Sequence, residues 1–333
     1  MQVFHLNTPT DIASSIAAAP SAVTIGNFDG VHLGHQQLIA LLRAAAAQRN
    51  LRSCALTFEP HPREYFASKA GLDAPLRITA LRGKLRALQK TQIDAIYVAR
   101  FGANMAALSP QAFFNQILRQ QLNARLVLVG DDFRFGAGRA GDFEWLQQAG
   151  LDHGVEVIRM DTVNSDENST SRRYSSSSVR QALVDAQFVT VQRLLGRPYA
   201  IEGHVIHGRK LGRRLGFPTL NLSVGPHRPA LQGIYVVQVH GLTTKGIPSS
   251  KPWPAVASLG TRPAVEQNGR FLLEVHLLDW QGDAYGQCLS VEFIYKLRSE
   301  AVYDSLEALT QQISLDTAAA RAYFHQSILC PTN

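Results

Sequence analysis

Apolar positions recur along this chain in two different rhythms. In the first half, short apolar runs at 22–25, 54–58, 95–98, 126–129 and 155–158 predict strands. Between them, apolar residues three and four apart predict helices. Leu38, Ile39, Leu41, Leu42 and Ala45 form one such stripe in a helix from His35, and Leu81, Leu85 and Leu88 another over 79–90. Ser109-Pro110 has the form of a helix start, a capping hydroxyl followed by proline at the first helical position. Strand and helix alternating at this spacing predict a parallel sheet covered by helices on both faces, with right-handed crossovers. From about residue 187 the rhythm shortens to alternating segments at 201–206, 219–222, 234–239, 255–259, 272–278 and 289–293. A last stretch, 305–324, has helical spacing through Leu306, Leu309 and Ile313. The expected fold is therefore α/β then β: a Rossmann-like sheet domain over 1–184, and a small closed barrel with a terminal helix over 185–333.

Composition adds limits rather than a function. The 333 residues suffice for two cores, and the overall usage is that of an ordinary globular protein. Cys54, Cys288 and Cys330 lie far apart, without a CxxC or zinc spacing, and Cys54 falls inside an apolar strand. No apolar segment is long enough to span a bilayer, and the N-terminus lacks a basic region followed by an apolar run. A cytoplasmic protein without a membrane partner is expected. Net charge is +7, but the densest basic cluster, Arg209, Lys210, Arg213 and Arg214, is broken by glycine rather than interleaved with aromatics. That pattern suits the phosphates of a small nucleotide, so no nucleic-acid partner is expected, and a monomer or weak oligomer suffices.

The chemistry starts at the end of the first predicted strand. Gly26, Asn27, Phe28, Asp29, Gly30, Val31, His32, Leu33, Gly34 and His35 join a strand to a helix through three glycines. Such a corner is an anion site: free N–H groups at the helix start point at a phosphate, and glycine lets it approach. His32 and His35 can donate to phosphate oxygens there. A capped strand–turn–helix corner without chemistry is the plainer alternative. The loops after the other strands fall at the same sheet edge, where ligands of parallel sheets bind. They carry Glu59-Pro60-His61-Pro62-Arg63-Glu64, Arg100-Phe101-Gly102 and Gly130-Asp131-Asp132-Phe133-Arg134-Phe135-Gly136. Glycines, aromatics and polar groups at one rim suit a planar ligand beside a polyphosphate.

The first stretch resembles the GxFDGxHxGH motif of the nucleotidyltransferase superfamily, whose HxGH element grips the ATP triphosphate. Phe58 to Pro62 and Gly130 to Gly136 are similar to the flavin-side motifs of the FAD synthetase module of bacterial bifunctional riboflavin kinase/FAD synthetases. Ser175 to Arg180 resembles that module's SSTxxR element, with Ser177 at the threonine position. The resemblance implies that Gly26, Asn27, Phe28, Asp29, Gly34 and Ser177 hold ATP and that His32, His35 and Arg180 are catalytic. It implies that Phe58, Pro60, His61, Pro62, Asp132 and Phe133 face the flavin. The polar run 164–173 is longer than that family usually carries.

In the second half, His207-Gly208-Arg209-Lys210-Leu211-Gly212-Arg213 is a glycine-hinged basic loop able to fold over phosphates. Thr219 and Asn221 in Gly216-Phe217-Pro218-Thr219-Leu220-Asn221 share a strand face, and their oxygens suit Mg²⁺. In Leu273-Glu274-Val275-His276-Leu277 the polar pair lies opposite the apolar residues, and Glu274 can accept a proton from an attacking hydroxyl. A solvated strand face is the alternative for both. Residues 195–324 resemble the riboflavin kinase domain through the GRPYxIEGxVxHG opening, the GFPTxN element and the LEVHLLDW strand. That resemblance implies ATP contacts from Gly208, Arg209, Lys210, Gly216, Phe217 and Pro218, metal ligation by Thr219 and Asn221, and Glu274 as the base. Together the two resemblances imply a bifunctional enzyme using ATP and Mg²⁺: riboflavin to FMN, then FMN to FAD with release of pyrophosphate. The alternative kept open is nucleotidyl transfer to another phosphate acceptor, with the barrel regulatory.

Overall fold

The computed structural model describes residues 1–6, 19–161, 174–208, 211–225, 227–244, 246–261 and 271–329. Arg209, Lys210, Cys330 and the run 164–173 lie outside the described residues. The chain divides into two units, Met1–Pro75 with Lys84–Ser178, and Leu76–Gly83 with Val179–Asn333.

In the first unit, strands β1 (Gln2–Leu6), β2 (Ser21–Ile25), β3 (Arg52–Glu59), β4 (Ala95–Arg100), β5 (Ala124–Gly130) and β6 (Glu156–Met160) pair in the order β1-β4-β3-β2-β5-β6. Every pairing is parallel. All of β2 is buried, as expected of a strand covered on both faces. Helices α1 (Leu33–Gln48), α2 (Pro62–Lys69), α3 (Leu81–Lys90), α4 (Ala103–Ala106), α5 (Pro110–Ala112) and α6 (Phe143–His153) come between strands in sequence. A π-helical stretch, Phe113–Gln121, continues α5 and sends Phe113, Phe114, Ile117 and Leu118 into the core with Leu56, Tyr97 and Val127. Cys54 sits in that core, and burial pushes its thiol up to about 12, so it is an inert packing residue.

Three details differ from the sequence pattern. The buried stripe of α1 is Leu38, Ile39, Leu42 and Ala46, while Leu41 is 51% exposed, because at about 100° per residue it lies well off the centre of that face. Helix α3 buries Lys84, Ala87 and Leu88, and leaves Leu81 and Leu85 only half-buried. Strand β1, with mostly exposed side chains at the sheet edge, carries too weak an alternation to predict.

Helix α7 (Ser176–Val184) begins at the last residues of the first unit. The second unit continues with α8 (Phe188–Leu195), β7 (Ala200–Ile206), α9 (Leu211–Arg214), β8 (Leu220–Ser223) and β9 (Gly233–His240). After the short pair β10 (Thr243–Thr244) and β11 (Ile247–Pro248) come β12 (Trp253–Thr261), β13 (Phe271–Leu277), β14 (Cys288–Arg298) and α10 (Leu306–Leu329). Six of these strands close a barrel in the order β12-β13-β8-β7-β14-β9. All its pairings are antiparallel, with β9 on β12 completing the circle. Closure removes the free edges that a small sheet would otherwise expose. Helix α8 departs from the all-β reading of the chain from about residue 187; Val191, Leu194 and Leu195 form its buried face.

Helix α10 docks through Ala320 against Val236 and Leu278. It is also tied by a two-pronged pair: Arg298 Nε donates to Asp316 Oδ1 at 2.9 Å and Nη2 to Oδ2 at 2.7 Å. Asp316 is buried, which makes this pair stronger than an exposed one. The strip 76–83 adds to the same unit. The Arg77 N–H donates to the Arg228 carbonyl at 2.8 Å, and the Ala230 N–H to the Arg77 carbonyl at 2.9 Å. The Tyr199 hydroxyl donates to the Ile78 carbonyl at 2.8 Å.

Candidate active sites

The turn after β2 is built by unusual backbone. Phe28 (φ 48°), Gly30 (φ 84°) and Val31 (φ 44°) all lie in the left-handed region. For a β-branched residue such as Val31 this conformation costs on the order of 1–3 kcal/mol, and such strain collects at functional sites. The turn is held by the Gly26 N–H on the Leu56 carbonyl (3.0 Å) and by Gln36 Nε2 on the Val31 carbonyl (2.9 Å). Phe28 is fully buried below it, with its ring against Gly26 and edge-on to His35 at 5.1 Å. A Cβ at Gly26 would lie 3.2 Å from that ring.

His32 is the N-cap of α1: its Nδ1 accepts from the His35 backbone N–H at 3.4 Å. When the ring is neutral, its proton therefore sits on Nε2, which is then the donor nitrogen. The two imidazoles stack with centroids 3.7 Å apart and planes 22° apart. The ring of His32 leans over Gly34, where a Cβ would come within 3.3 Å of it. Burial, then His32 and Lys84, hold the His35 imidazole well below its ordinary range. His35 is therefore neutral at neutral pH, and its buried Nδ1 has no hydrogen-bond partner among the described residues. The capping contact uses Nδ1 alone, so it does not by itself conflict with the expected phosphate contact.

Ser175 Oγ caps the first turn of α7 by accepting from the Ser178 N–H (3.1 Å), and Ser176 Oγ donates to the Asp29 carbonyl (3.0 Å). The serine that touches the glycine turn is therefore Ser176. Ser177, at the motif's threonine position, is exposed on the helix surface. Arg180 is half-buried one turn further along α7, in the second unit.

At the same carboxyl edge, Glu59-Pro60-His61-Pro62 is not a plain loop. His61 is the N-cap of α2, accepting from the Arg63 N–H (3.3 Å), while Glu64 Oε2 accepts from the His61 N–H (3.0 Å). Pro62 fills the first helical position and the Glu59-Pro60 bond is cis. The aromatic rings expected at this rim are present. Phe58 packs on Phe101 at 5.7 Å, and Tyr65 and Phe66 also edge onto Phe101. After β5, Phe133 stacks on Phe135 at 5.3 Å, while Asp132 is exposed.

One residue here escaped the motifs. Lys84 on α3 is 1% exposed, with Nζ 3.4 Å from Thr57 Oγ1, 3.5 Å from the Phe58 carbonyl and 4.0 Å from the Glu59 carboxylate. Its signal was in the sequence: a lysine three residues after Leu81 and four before Leu88 lies on that helix's apolar face.

In the barrel, β8 and β13 set the second constellation. Their register puts Asn221 directly opposite Glu274, so the two side chains project from the same face as near neighbours. Asn221 is buried and Glu274 half-buried, while Leu273, Val275 and Leu277 fill the other face, as the alternation required. Thr219 precedes β8. The Gly216-Phe217-Pro218 turn folds back on β13, with His276 Nδ1 2.9 Å from the Pro218 carbonyl and Phe217 edge-on to His276 at 5.5 Å. The Phe217 N–H closes this turn on the Gly212 carbonyl at 2.8 Å. Gly208 and Gly212 make the cradle: a Cβ at Gly208 would lie 2.6 Å from Asn221 Cγ, and one at Gly212 3.2 Å from Thr219 Oγ1. Gly208, Asn221 and Glu274 thus come together, with Thr219 against Gly212 just before β8. A second carboxylate, Glu300, was not expected: it packs on Gly260, and burial together with Glu274 raises its pKa.

Comparison with known proteins follows the same division. A family model described as FAD synthetase matches residues 15–174, and one described as riboflavin kinase matches 195–324. A bifunctional riboflavin kinase/FMN adenylyltransferase of Escherichia coli (strain K12) is 43% identical over 302 residues, covering 91% of this chain and 92% of that protein. One from Pseudomonas fluorescens is 44% identical over 299 residues, covering 90% and 91%. A crystal structure named as a macrolide-efflux protein from Streptococcus pneumoniae matches with a TM-score of 0.71 at 28% identity, over 96% of this chain and 98% of that one. Among the described residues here, no helix is long and apolar enough to cross a membrane.

Proposed function

We propose how two reactions divide over a chain that belongs to the family of bifunctional riboflavin kinase/FMN adenylyltransferases. Riboflavin phosphorylation falls to residues 185–333 with the strip 76–83, and adenylylation of the FMN product to the remainder of residues 1–184. The observation that carries this division is that each matched segment holds its own glycine-built phosphate turn, one at His32 and His35 and one at Gly208 and Asn221.

In the kinase step, the riboflavin 5′-hydroxyl oxygen forms a bond to the γ-phosphorus of ATP, and the bond to the β–γ bridging oxygen breaks to release ADP. The hydroxyl proton goes to the Glu274 carboxylate. Half-burial beside Asn221 keeps that carboxylate oriented while leaving it reachable. Gly208, Gly216, Phe217 and Pro218 frame the nucleotide, with Arg209 and Lys210 as phosphate contacts. The oxygens of Thr219 and Asn221 suit a small hard cation such as Mg²⁺, because the glycines beside them leave room that a Cβ would fill. Bound there, Mg²⁺ would neutralise charge on the transferring phosphoryl group.

In the adenylyl step, an FMN phosphate oxygen bonds to the α-phosphorus of ATP and pyrophosphate leaves, so no strong base is needed. Charge builds on the leaving oxygens. His32 Nε2–H, the neutral His35 and the Arg180 guanidinium supply donors for it, with Gly26, Asn27, Phe28, Asp29, Gly34 and Ser177 shaping the ATP side. Phe58, Pro60, His61, Pro62, Asp132 and Phe133 line the flavin side. Riboflavin, FMN, FAD and ATP are the only partners this chemistry needs, and a cytoplasmic monomer or weak oligomer would serve.

The direct experiment is a time course of purified protein with riboflavin, ATP and Mg²⁺, resolved by chromatography. FMN should rise first and FAD follow at its expense. FAD appearing from added FMN but never from riboflavin would remove the kinase assignment.

Gly208→Ala gives a finer test. Its methyl would overlap the Asn221 amide and push it out of register with Glu274. Riboflavin phosphorylation should fall about 10- to 100-fold, through misplacement of reacting groups, with an increased KM for ATP. FMN adenylylation should be unchanged. Both are read by separate steady-state assays.

A further inference from the structure

We propose that Lys84 is a positioning residue for adenylyl transfer: its sealed ammonium fixes the turn after β2 and keeps a positive charge behind His35. This rests on the assignment of adenylyl transfer to the first unit.

Three observations carry it. The first is the placement. An ammonium only 1% exposed is costly to keep, and an apolar side chain of the same length would fill the space without that cost. Stability alone is a poor reason for a lysine on the apolar face of α3. The second is the connection. Lys84 Nζ lies 3.4 Å from Thr57 Oγ1, and that hydroxyl donates onward to the Asn27 carbonyl at 3.2 Å. Thr57 has one proton, so accepting from Lys84 turns that proton toward Asn27, inside the glycine turn. A hydrogen-bonded line thus runs from α3 through β3 to the residue that begins the phosphate loop.

The third is electrostatic. The charged neighbours that act on His35 are His32, at the start of its own helix, and Lys84, from α3, both disfavouring a proton on the ring after burial has done most. The Glu59 carboxylate at 4.0 Å only partly offsets the ammonium, because it is a fifth exposed to water. Lys84 therefore adds positive potential behind the turn and reinforces the neutrality that burial gives His35.

The test uses the full chain with Lys84→Met. FMN adenylylation should fall on the order of 100-fold in kcat, as when one fixed electrostatic group is removed. Riboflavin phosphorylation should stay within about twofold, since the change lies outside that unit. The ring signals of His35, followed by NMR against pH, should titrate at a higher pH than in the wild type, because one of the charges opposing its protonation is gone. A purely structural lysine would alter the melting temperature without moving that titration. Should Lys84→Met fail to fold, Lys84→Gln, which keeps a donor for Thr57, is read the same way. The proposal is overturned if the folded variant adenylylates FMN within about threefold of wild type, or if the His35 titration stays put. Wild-type protein that makes no FAD from FMN would instead overturn the functional assignment, and the inference with it.

Discussion

Glu274→Gln is expected to lower riboflavin phosphorylation by about three orders of magnitude, within the range general-base groups supply. Glutamine keeps the volume and a carbonyl oxygen, so the β8–β13 register and the contact with Asn221 should survive. What it loses is the ability to take the 5′-hydroxyl proton. The loss should therefore fall in kcat, with KM for riboflavin and for ATP nearly unchanged. Adenylylation of supplied FMN should continue at the wild-type rate, because β13 belongs wholly to the second unit. A loss below about tenfold would mean that the carboxylate only orients its neighbours. Loss of both activities in a folded protein would undo the division between the two halves.

The mirror experiment is the double change His32→Ala with His35→Ala, expected to cut FAD formation by about three orders of magnitude or more while FMN formation persists. Removing a single donor to developing charge typically costs about 10²–10³ in rate, and stacked neighbours of this kind do not add simply. Alanine at 32 also removes the cap of α1, so part of any loss could come from the helix start. His32→Asn separates the two roles. Asparagine is among the best N-caps and restores the acceptor for the His35 N–H, yet it cannot present an imidazole Nε2–H. FAD formation should remain at least about 30-fold down in His32→Asn, with thermal stability near that of the wild type. Full activity in that variant would reduce His32 to a capping residue.

Much of this could be read before any coordinates, for particular reasons. The strands β2 to β5 are legible because burial on both faces forces continuous apolar runs. The barrel strands are legible because one face is buried, giving the alternation through Leu273, Val275 and Leu277. Legibility failed where tertiary context outweighs local pattern. Strand β1 gains its place by pairing with β4 rather than by its own apolar content. Leu41 lies outside the stripe because the sheet covers the face centred on Leu38, Ile39, Leu42 and Ala46, a choice among overlapping apolar faces that tertiary packing makes. Helix α2 was hidden behind a proline-rich loop motif, although His61 and Glu64 spell a capping box three residues apart. The glycine turns themselves were plain from the spacing of their glycines. That Gly208 abuts Asn221, and Gly212 abuts Thr219, depends on a fold-back that no spacing rule reveals. Lys84 is legible only in hindsight, because a charged residue on an apolar stripe reads as noise until its partners are known, and Glu300 because it lies in the loop after β14, outside any pattern.

The strip 76–83 bears on how this chain can be dissected. Cutting before residue 185 to obtain the barrel by itself discards a piece of that barrel's own unit. The Arg228 carbonyl, the Ala230 N–H and the Tyr199 hydroxyl would then lose their mates, and Tyr199 is otherwise buried. An excised fragment is thus a frayed version of the domain rather than the domain, and adding a synthetic peptide spanning 76–83 is the way to make it whole again.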